Sequence, residues 1–355
     1  MDDEAQPKLS WDWGTAYDLF ISLHVLHEPN KFGLRGSWAA GVRSRVPGDE
    51  REILEEAQNL FQLPVHWVHA LPDPKDGSTA LRTLEKLDPK ERLPALAISA
   101  ETPPQLAEVL MSVAERGSWD ESDQEALGEK QKEKGPPPRP KTLAAILDWW
   151  ARAEEFGERY SEALLSYYQV FFAEEEMHIR PVLQESVDHA RRLAEDLEVP
   201  ELVEELSQGL RFESLPDFSE LILAPSFWST PLVIFNELGE RRMLLVYGAR
   251  PADASLVPGE VVPDALLLSL KALADPTRLR ILRYLASQPL TPAQLSRRLR
   301  LRAPTVIHHL NTLRLAGLVH VTLKSGGERR YAMRSESERI TFAHLQEFLE
   351  EQNQD

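Results

Sequence analysis

The chain has 355 residues, enough for two to three domains that each bury a core. Its composition, 42% hydrophobic, 27% charged and 8% aromatic, excludes a disordered chain or a fibre, and the lack of any cysteine excludes disulfides, thiol nucleophiles and thiolate metal sites. The net charge of −17 is unevenly spread: residues 264–340 hold 14 Lys and Arg against 5 Asp and Glu, whereas residues 1–263 hold 26 against 48. An anionic partner is therefore expected at the basic segment alone.

The opening MDDEAQPK has neither a basic nor an apolar run, so no secretory signal is expected. The most apolar stretch, 221–235, is interrupted by two prolines, two serines and a threonine and is too short to span a bilayer. A cytoplasmic protein without membrane contact follows as the expectation.

Residues 1–120 read as a mainly helical region. Helical spacing runs over 50–61 and 79–87, and Asp88-Pro89 stops the second run. Thr102-Pro103-Pro104 opens a further helix to Arg116, with Gly117 just past its end. Residues 121–141, ESDQEALGEKQKEKGPPPRPK, read as a charged, Pro-rich linker or loop. Residues 142–262 form a second helical region ending in a β-hairpin. Its long helical stretch carries Pro181, where a break or kink is expected. A short helix over 200–209 follows. Then come three apolar runs, SELILA, PLVIFN and RMLLVYG, the last two a hairpin around ELGE. Three prolines and a glycine over 249–264 mark the next boundary.

Residues 263–351 read as a winged helix-turn-helix. Helices are expected over 264–274 and 276–287, the second capped by Asp275-Pro276, with Leu279, Leu282 and Leu285 inward. Thr291-Pro292-Ala293-Gln294 is a capping box for a third helix, and Ala303-Pro304 opens a fourth that ends at Ala316-Gly317-Leu318. Two strands around a Ser-Gly-Gly turn form the wing, and a last amphipathic helix closes the segment. Advancing 100° per residue puts Val306, Leu310 and Leu313 on the core side of the fourth helix. Thr305, His308, His309 and Thr312 fall on a neighbouring arc, with Arg302 just before it. With Arg297 and Arg298, and with Lys324, Arg329 and Arg330 at the wing, they make the candidate DNA-binding set.

The phrases LADPTRLRIL and TVIHHLNTLRLAGLV, with the wing pattern G-x-x-R-x-Y, resemble the ArsR family of winged-helix transcriptional regulators over about 265–335. The resemblance implies a homodimer built from the first and last helices of the domain. It also implies a palindromic operator in double-stranded DNA, a recognition helix over 303–316 and release by an effector. Metal-sensing members carry cysteines in the helix before the recognition helix; here that preceding helix reads TPAQLSRRL, and Ile307 stands where the family usually has serine.

The fold expected overall is mainly α with small β elements: a helical N-terminal region with a β-hairpin, plus the winged helix. The acidic region would sense a small-molecule effector or a partner. Trp149, Trp150, Tyr160, Tyr167 and Tyr168 belong to a dense aromatic run that is either a pocket wall for an apolar ligand or the core of a bundle. Trp11, Trp13, Tyr17 and Phe20 pose the same choice. His24/His27, His66/His69 and Glu175/His178 have ligand spacing, but no second Glu-x-x-His completes a di-iron set, and no metal is expected. No P-loop, G-x-S-x-G, G-x-G-x-x-G or H-E-x-x-H occurs, so neither an enzyme nor a bound cofactor is expected. The reading is a DNA-binding regulator, more specifically a repressor. Its alternatives are an enzyme or metal-binding module regulated by the winged helix, and an interaction scaffold.

Overall fold

The computed structural model describes residues 7–32, 34, 36–61, 63–132, 140–212, 218–251, 254, 262–324, 328–335 and 337–350. In chain order β1 (Lys8–Trp11) leads to α1 (Thr15–His27), α2 (Gly36–Arg43), α3 (Gly48–Leu60), α4 (Val65–His69), α5 (Gly77–Lys86), α6 (Pro89–Ala97), α7 (Pro104–Arg116) and α8 (Glu121–Lys132). Then come α9 (Pro140–Ala151), α10 (Ala153–Tyr167), α11 (Ala173–Asp196), α12 (Val199–Leu206), β2 (Leu210–Phe212), β3 (Glu220–Ser226), β4 (Ile234–Gly239) and β5 (Arg242–Gly248). The basic segment follows as α13 (Asp264–Leu273), α14 (Pro276–Leu285), α15 (Pro292–Leu299), α16 (Ala303–Leu315), β6 (Val319–Leu323), β7 (Arg329–Met333) and α17 (Ser337–Glu350). No helix among the described residues is long and apolar enough to cross a membrane.

The acidic part is an α/β unit. Its sheet has the order β1-β3-β5-β4, with β1, β3 and β5 parallel and β4 antiparallel to β5. β4 and β5 are the expected hairpin, and β3 is the third apolar run. Both faces of the central strands are covered, which is why β3 and β5 read as continuous apolar runs rather than alternating ones. Ile222, Ala224, Leu244 and Val246 join the core beneath the helices that begin with α1. Leu221, Leu223, Leu245 and Tyr247 point the other way, onto Ala190 of α11 and Leu202 and Leu206 of α12.

Two expectations change here, and the relation of the two helical regions, which their sequences leave open, becomes visible. The regions 1–120 and 142–262 share one core, running from Ala16 to Val246, and are tied by the pairing of β1 with β3. The charged stretch 121–141 is helical over Glu121–Lys132, while 133–139 lie outside the described residues. Pro181 does not break α11; the preceding irregularity is a single π-turn at Tyr168–Phe172. Pro181 is exposed, as is Met177 one turn before it, so water can take the carbonyl left without its donor.

α1 runs through the centre of this unit and buries every residue except His24 and His27. Its buried polar side chains are satisfied, as burial demands. Asp18 accepts from the Ser226 hydroxyl (2.6 Å), from the Trp228 N–H (2.9 Å) and from the Phe227 N–H (3.2 Å), which fixes the loop after β3. Burial, opposed by these bonds, raises the Asp18 carboxyl to about 6. Tyr17 donates to Asp12 (2.7 Å), which also lies 2.6 Å from both Lys75 Nζ and His69 Nδ1. Burial alone would raise Asp12; the bonds from His69, Lys75 and Tyr17 outweigh it and hold the carboxyl below its ordinary value.

The basic segment folds as read, with its own core of Leu, Ile and Val from α14, α15, α16 and β6. The Asp275 side chain accepts from the Arg278 N–H (2.9 Å), and the Thr291/Gln294 capping box is formed. Leu279 is the exception. It is 48% exposed, and Ile281 takes the inward place beside Leu282 and Leu285. The wing sheet holds a strand that local pattern does not reveal. β2, from the acidic unit, lies parallel to β6, with Leu210 opposite Val321 and Phe212 opposite Leu323, while β6 and β7 are antiparallel. Gly209 makes this approach possible: its φ is +110, and a Cβ there would stand 3.0 Å from His320 Cβ.

Candidate nucleic-acid interface

α15 ends at Arg300 in the left-handed conformation (φ 57), which turns the chain within three residues into α16. The Leu301 N–H donates to the Ser296 carbonyl (3.1 Å), and the Ser296 hydroxyl donates back to the Leu301 carbonyl. Val306, Leu310 and Leu313 are fully buried and seat α16 on the domain core, as the spacing requires. The opposite face carries Arg302, Thr305, Ile307, His308 and Asn311, all exposed.

The predicted set divides on this frame. Arg302, Thr305 and His308 stand on the outward arc. Thr312 is half-buried, and its hydroxyl donates to the His308 carbonyl (3.1 Å). His309 does not belong to the outward arc. It sits four residues before Leu313, beside the core stripe, half-buried against the start of α14. Burial pushes its ring below the usual range, with Asp275 acting against that and Arg278 and His308 adding to it. Asn311 lies outside the predicted set, although the same helical projection puts it opposite Leu313, one turn from His308. Asparagine is a side chain suited to adenine edges, and exposed Ile307 offers an apolar contact to a thymine methyl.

Arg297 and Arg298 are exposed at the end of α15, with the Arg298 guanidinium 5.6 Å from the Tyr284 ring centre. In the wing Arg329 is exposed on β7. Arg330 is half-exposed and pairs with Glu328 at 3.0 Å, a surface contact of little energetic weight. The Lys324 N–H donates to the Glu328 carbonyl (3.0 Å) at the base of the wing; the turn 325–327 lies outside the described residues. Helix, turn and wing thus carry cations beside a short polar arc, the arrangement that meets phosphates on either side of a major groove.

Residues 275–321 match the family model described as bacterial regulatory protein, arsR family. The C-terminal domain is an ArsR-type winged helix-turn-helix. The match begins at the Asp275 cap and ends within β6, so it covers the recognition helix and the first wing strand. The chain therefore carries the DNA-binding domain of a transcription regulator. No curated protein matches the chain.

The aromatic run packs mostly as core. Trp149, Trp150, Tyr160 and Tyr167 are 1–7% exposed and belong to the core of the acidic unit. Phe156 and Tyr160 stack with centres 5.3 Å apart, and the Tyr167 hydroxyl lies 2.9 Å from Ser22 Oγ. Tyr168 donates to Glu176 (2.9 Å). Trp150 borders a small cavity of about 120 Å3. Trp11, Trp13, Tyr17 and Phe20 pack in or against the buried clusters in the same way. In the His-x-x-His pairs one ring nitrogen of each histidine contacts a protein atom, while His27 Nε2 is buried without a hydrogen-bond partner. His24 Nδ1 lies 2.9 Å from Gln58 Oε1, His27 Nδ1 2.8 Å from the Leu23 carbonyl, and His66 Nε2 3.2 Å from the Ala95 carbonyl. Among the described residues no three His, Asp or Glu side chains gather as metal ligands would.

Proposed function

We propose that this chain is an operator-specific repressor that binds double-stranded DNA as a homodimer, with the acidic α/β unit adjusting DNA affinity in response to a small molecule. The observation that carries this reading is β2. It belongs to the acidic unit by sequence and charge, yet it is hydrogen-bonded into the wing sheet. A shift of the acidic unit is thereby transmitted to the DNA-facing edge through backbone bonds, which a merely tethered domain would not do. On α17 the side chains of Phe342 and Leu349 are 59% and 61% exposed, and α17 packs beside α13. These two helices support a two-fold dimer that would reach half-sites about one helical turn apart. The acidic unit is read as a binding module rather than an enzyme, because Asp12, Asp18 and Glu176 are each committed to hydrogen bonds within the fold.

Selection of bound sequences from a randomised duplex pool tests the base-reading part. His308→Ala and Asn311→Ala are expected to relax the choice of base at one position each, by about 1–3 kcal/mol, with little change in non-specific binding. An unaltered preference in both variants would remove the outward arc of α16 from sequence readout. A reporter behind the DNA upstream of the chain's own gene decides the sign: lower output in the presence of the chain is repression.

A further inference from the structure

Between the acidic unit and the winged helix lies a cleft of about 570 Å3, within the ~300–1,000 Å3 range of small-molecule sites. We propose that this cleft binds a small organic anion with an apolar body, an inference that names the ligand class for the sensing role proposed above.

The cleft is built from both halves of the chain. α11, the end of α12 and the end of β5 form one wall; α13, the last turn of α16 and the first half of α17 form the other. Leu193, Pro231, Leu268 and Ile340 give it an apolar lining. Cations stand among these groups. Arg250 and Arg334 line the cleft, as do His189 and His344. Arg250 is the deep one. Its Nη1 is buried without a hydrogen-bond partner, its Nη2 reaches the Thr230 carbonyl only at 3.4 Å, and its guanidinium lies 5.9 Å from the Phe227 ring centre. Burial lowers its affinity for the proton to about 10, and Asp264, acting electrostatically, opposes that. A buried guanidinium N–H without an acceptor is costly, and a carboxylate, sulfonate or phosphate supplies the charge-assisted bond it lacks. Glu185 and Glu205 also line the cleft, but both are exposed, where water screens them. The deep position therefore favours an anion and the lining favours an apolar body.

The location connects occupancy to DNA. The Ser269 hydroxyl of α13 lies 2.9 Å from the carbonyl of Ala265 and 3.1 Å from that of Ala316, and so shares its proton between its own helix and the end of the recognition helix at the cleft wall. Gln208, two residues before β2, lies on the facing wall. An occupant touches both halves at once and so favours one of their relative orientations by its difference in contacts.

The test titrates the full-length chain with anilinonaphthalene sulfonate, and separately with phenylnaphthylamine, which has the same rings without the anion. The sulfonate is expected to bind saturably, one per chain, and about tenfold or more tighter than the neutral amine. Arg250→Gln is expected to weaken the sulfonate about tenfold while leaving the amine within about twofold, and Arg250→Lys to retain most of the sulfonate affinity. Ala265→Trp, at an exposed position on α13, is expected to fill the cleft and weaken both probes about tenfold. Equal binding of the sulfonate by the wild type and both plug and charge variants, or no saturable binding, would overturn the proposal. Melting curves of each variant check the fold. Anisotropy on DNA with the probe bound tests the sensing role separately: Arg250-dependent binding with unchanged DNA affinity would leave the anion site standing and remove sensing.

Discussion

Replacing Arg297, Arg302 and Arg329 together by alanine is expected to lower affinity for any duplex by about 10²–10³-fold per chain bound near ~0.1 M salt. All three are exposed, one at the end of α15, one before α16 and one on the wing, so each can reach a phosphate without disturbing the core. The size follows from counterion release. Each phosphate that no longer meets a cation takes about 0.9 from the slope of log affinity against log salt, which is close to one decade per phosphate at ~0.1 M. The slope should therefore flatten by nearly three per chain, while the order of preference among sequences is kept. Salt titrations by anisotropy check both numbers. A slope equal to the wild type's would show that these cations do not lie on the DNA. The acidic unit, rich in Asp and Glu, adds only repulsion at a distance, so it cannot replace them.

Gly157→Ala is expected to cost about 3–5 kcal/mol of stability and to lower the melting temperature by roughly 10 °C or more. Gly157 lies in α10 where that helix crosses the start of α6. A Cβ there would stand 1.9 Å from the Pro89 carbonyl oxygen and 2.7 Å from its carbon. Backbone cannot swing aside as a side chain can, so the helices must separate. That loosens Arg92, whose Nη1 donates to the Gly157 carbonyl and to Ser161 Oγ, both at 3.0 Å. Gly41→Ala is the control. It sits in α2 with nothing within 4 Å of the added Cβ, and there alanine should be neutral or stabilising by about 0.5–1 kcal/mol. Thermal melts of the two variants separate steric clash from helix propensity. Equal melting of Gly157→Ala and the wild type would contradict the packing of α10 on α6.

The winged helix was legible because its signals are local. Asp275-Pro276, the Thr291/Gln294 box and Ala303-Pro304 each fix a helix start within four residues, and Val306, Leu310 and Leu313 then orient α16 by spacing alone. The burial of His309 was not legible, because it borders the core stripe, where a small error in helical phase decides between inside and outside. In the acidic unit α3, α5, α7 and the stretch from α9 to α12 were legible as helices, but the central helix α1 and the order of the sheet were not. β3, β4 and β5 were announced as short apolar runs with a turn at ELGE, but β1, four residues long, pairs with β3 from the far end of the unit, and nothing local in these runs gives the parallel pairing of β1, β3 and β5. β2 is three residues long, and only its partner in the wing makes it a strand. The cleft follows the same rule. Arg250, Ser269 and His344 come from three distant stretches, and nothing in their spacing points to a common wall.

If α16 and the wing read DNA for this chain, the full-length protein must tell one duplex from another. Fluorescence anisotropy with the duplex from upstream of its own gene, against a scrambled duplex of equal length, puts this to the proof. Preference for the upstream duplex is expected, with affinity falling by about 10³-fold or more between ~50 and ~200 mM salt. Equal, weak binding of both duplexes at low salt would refute DNA reading by α16 and the wing.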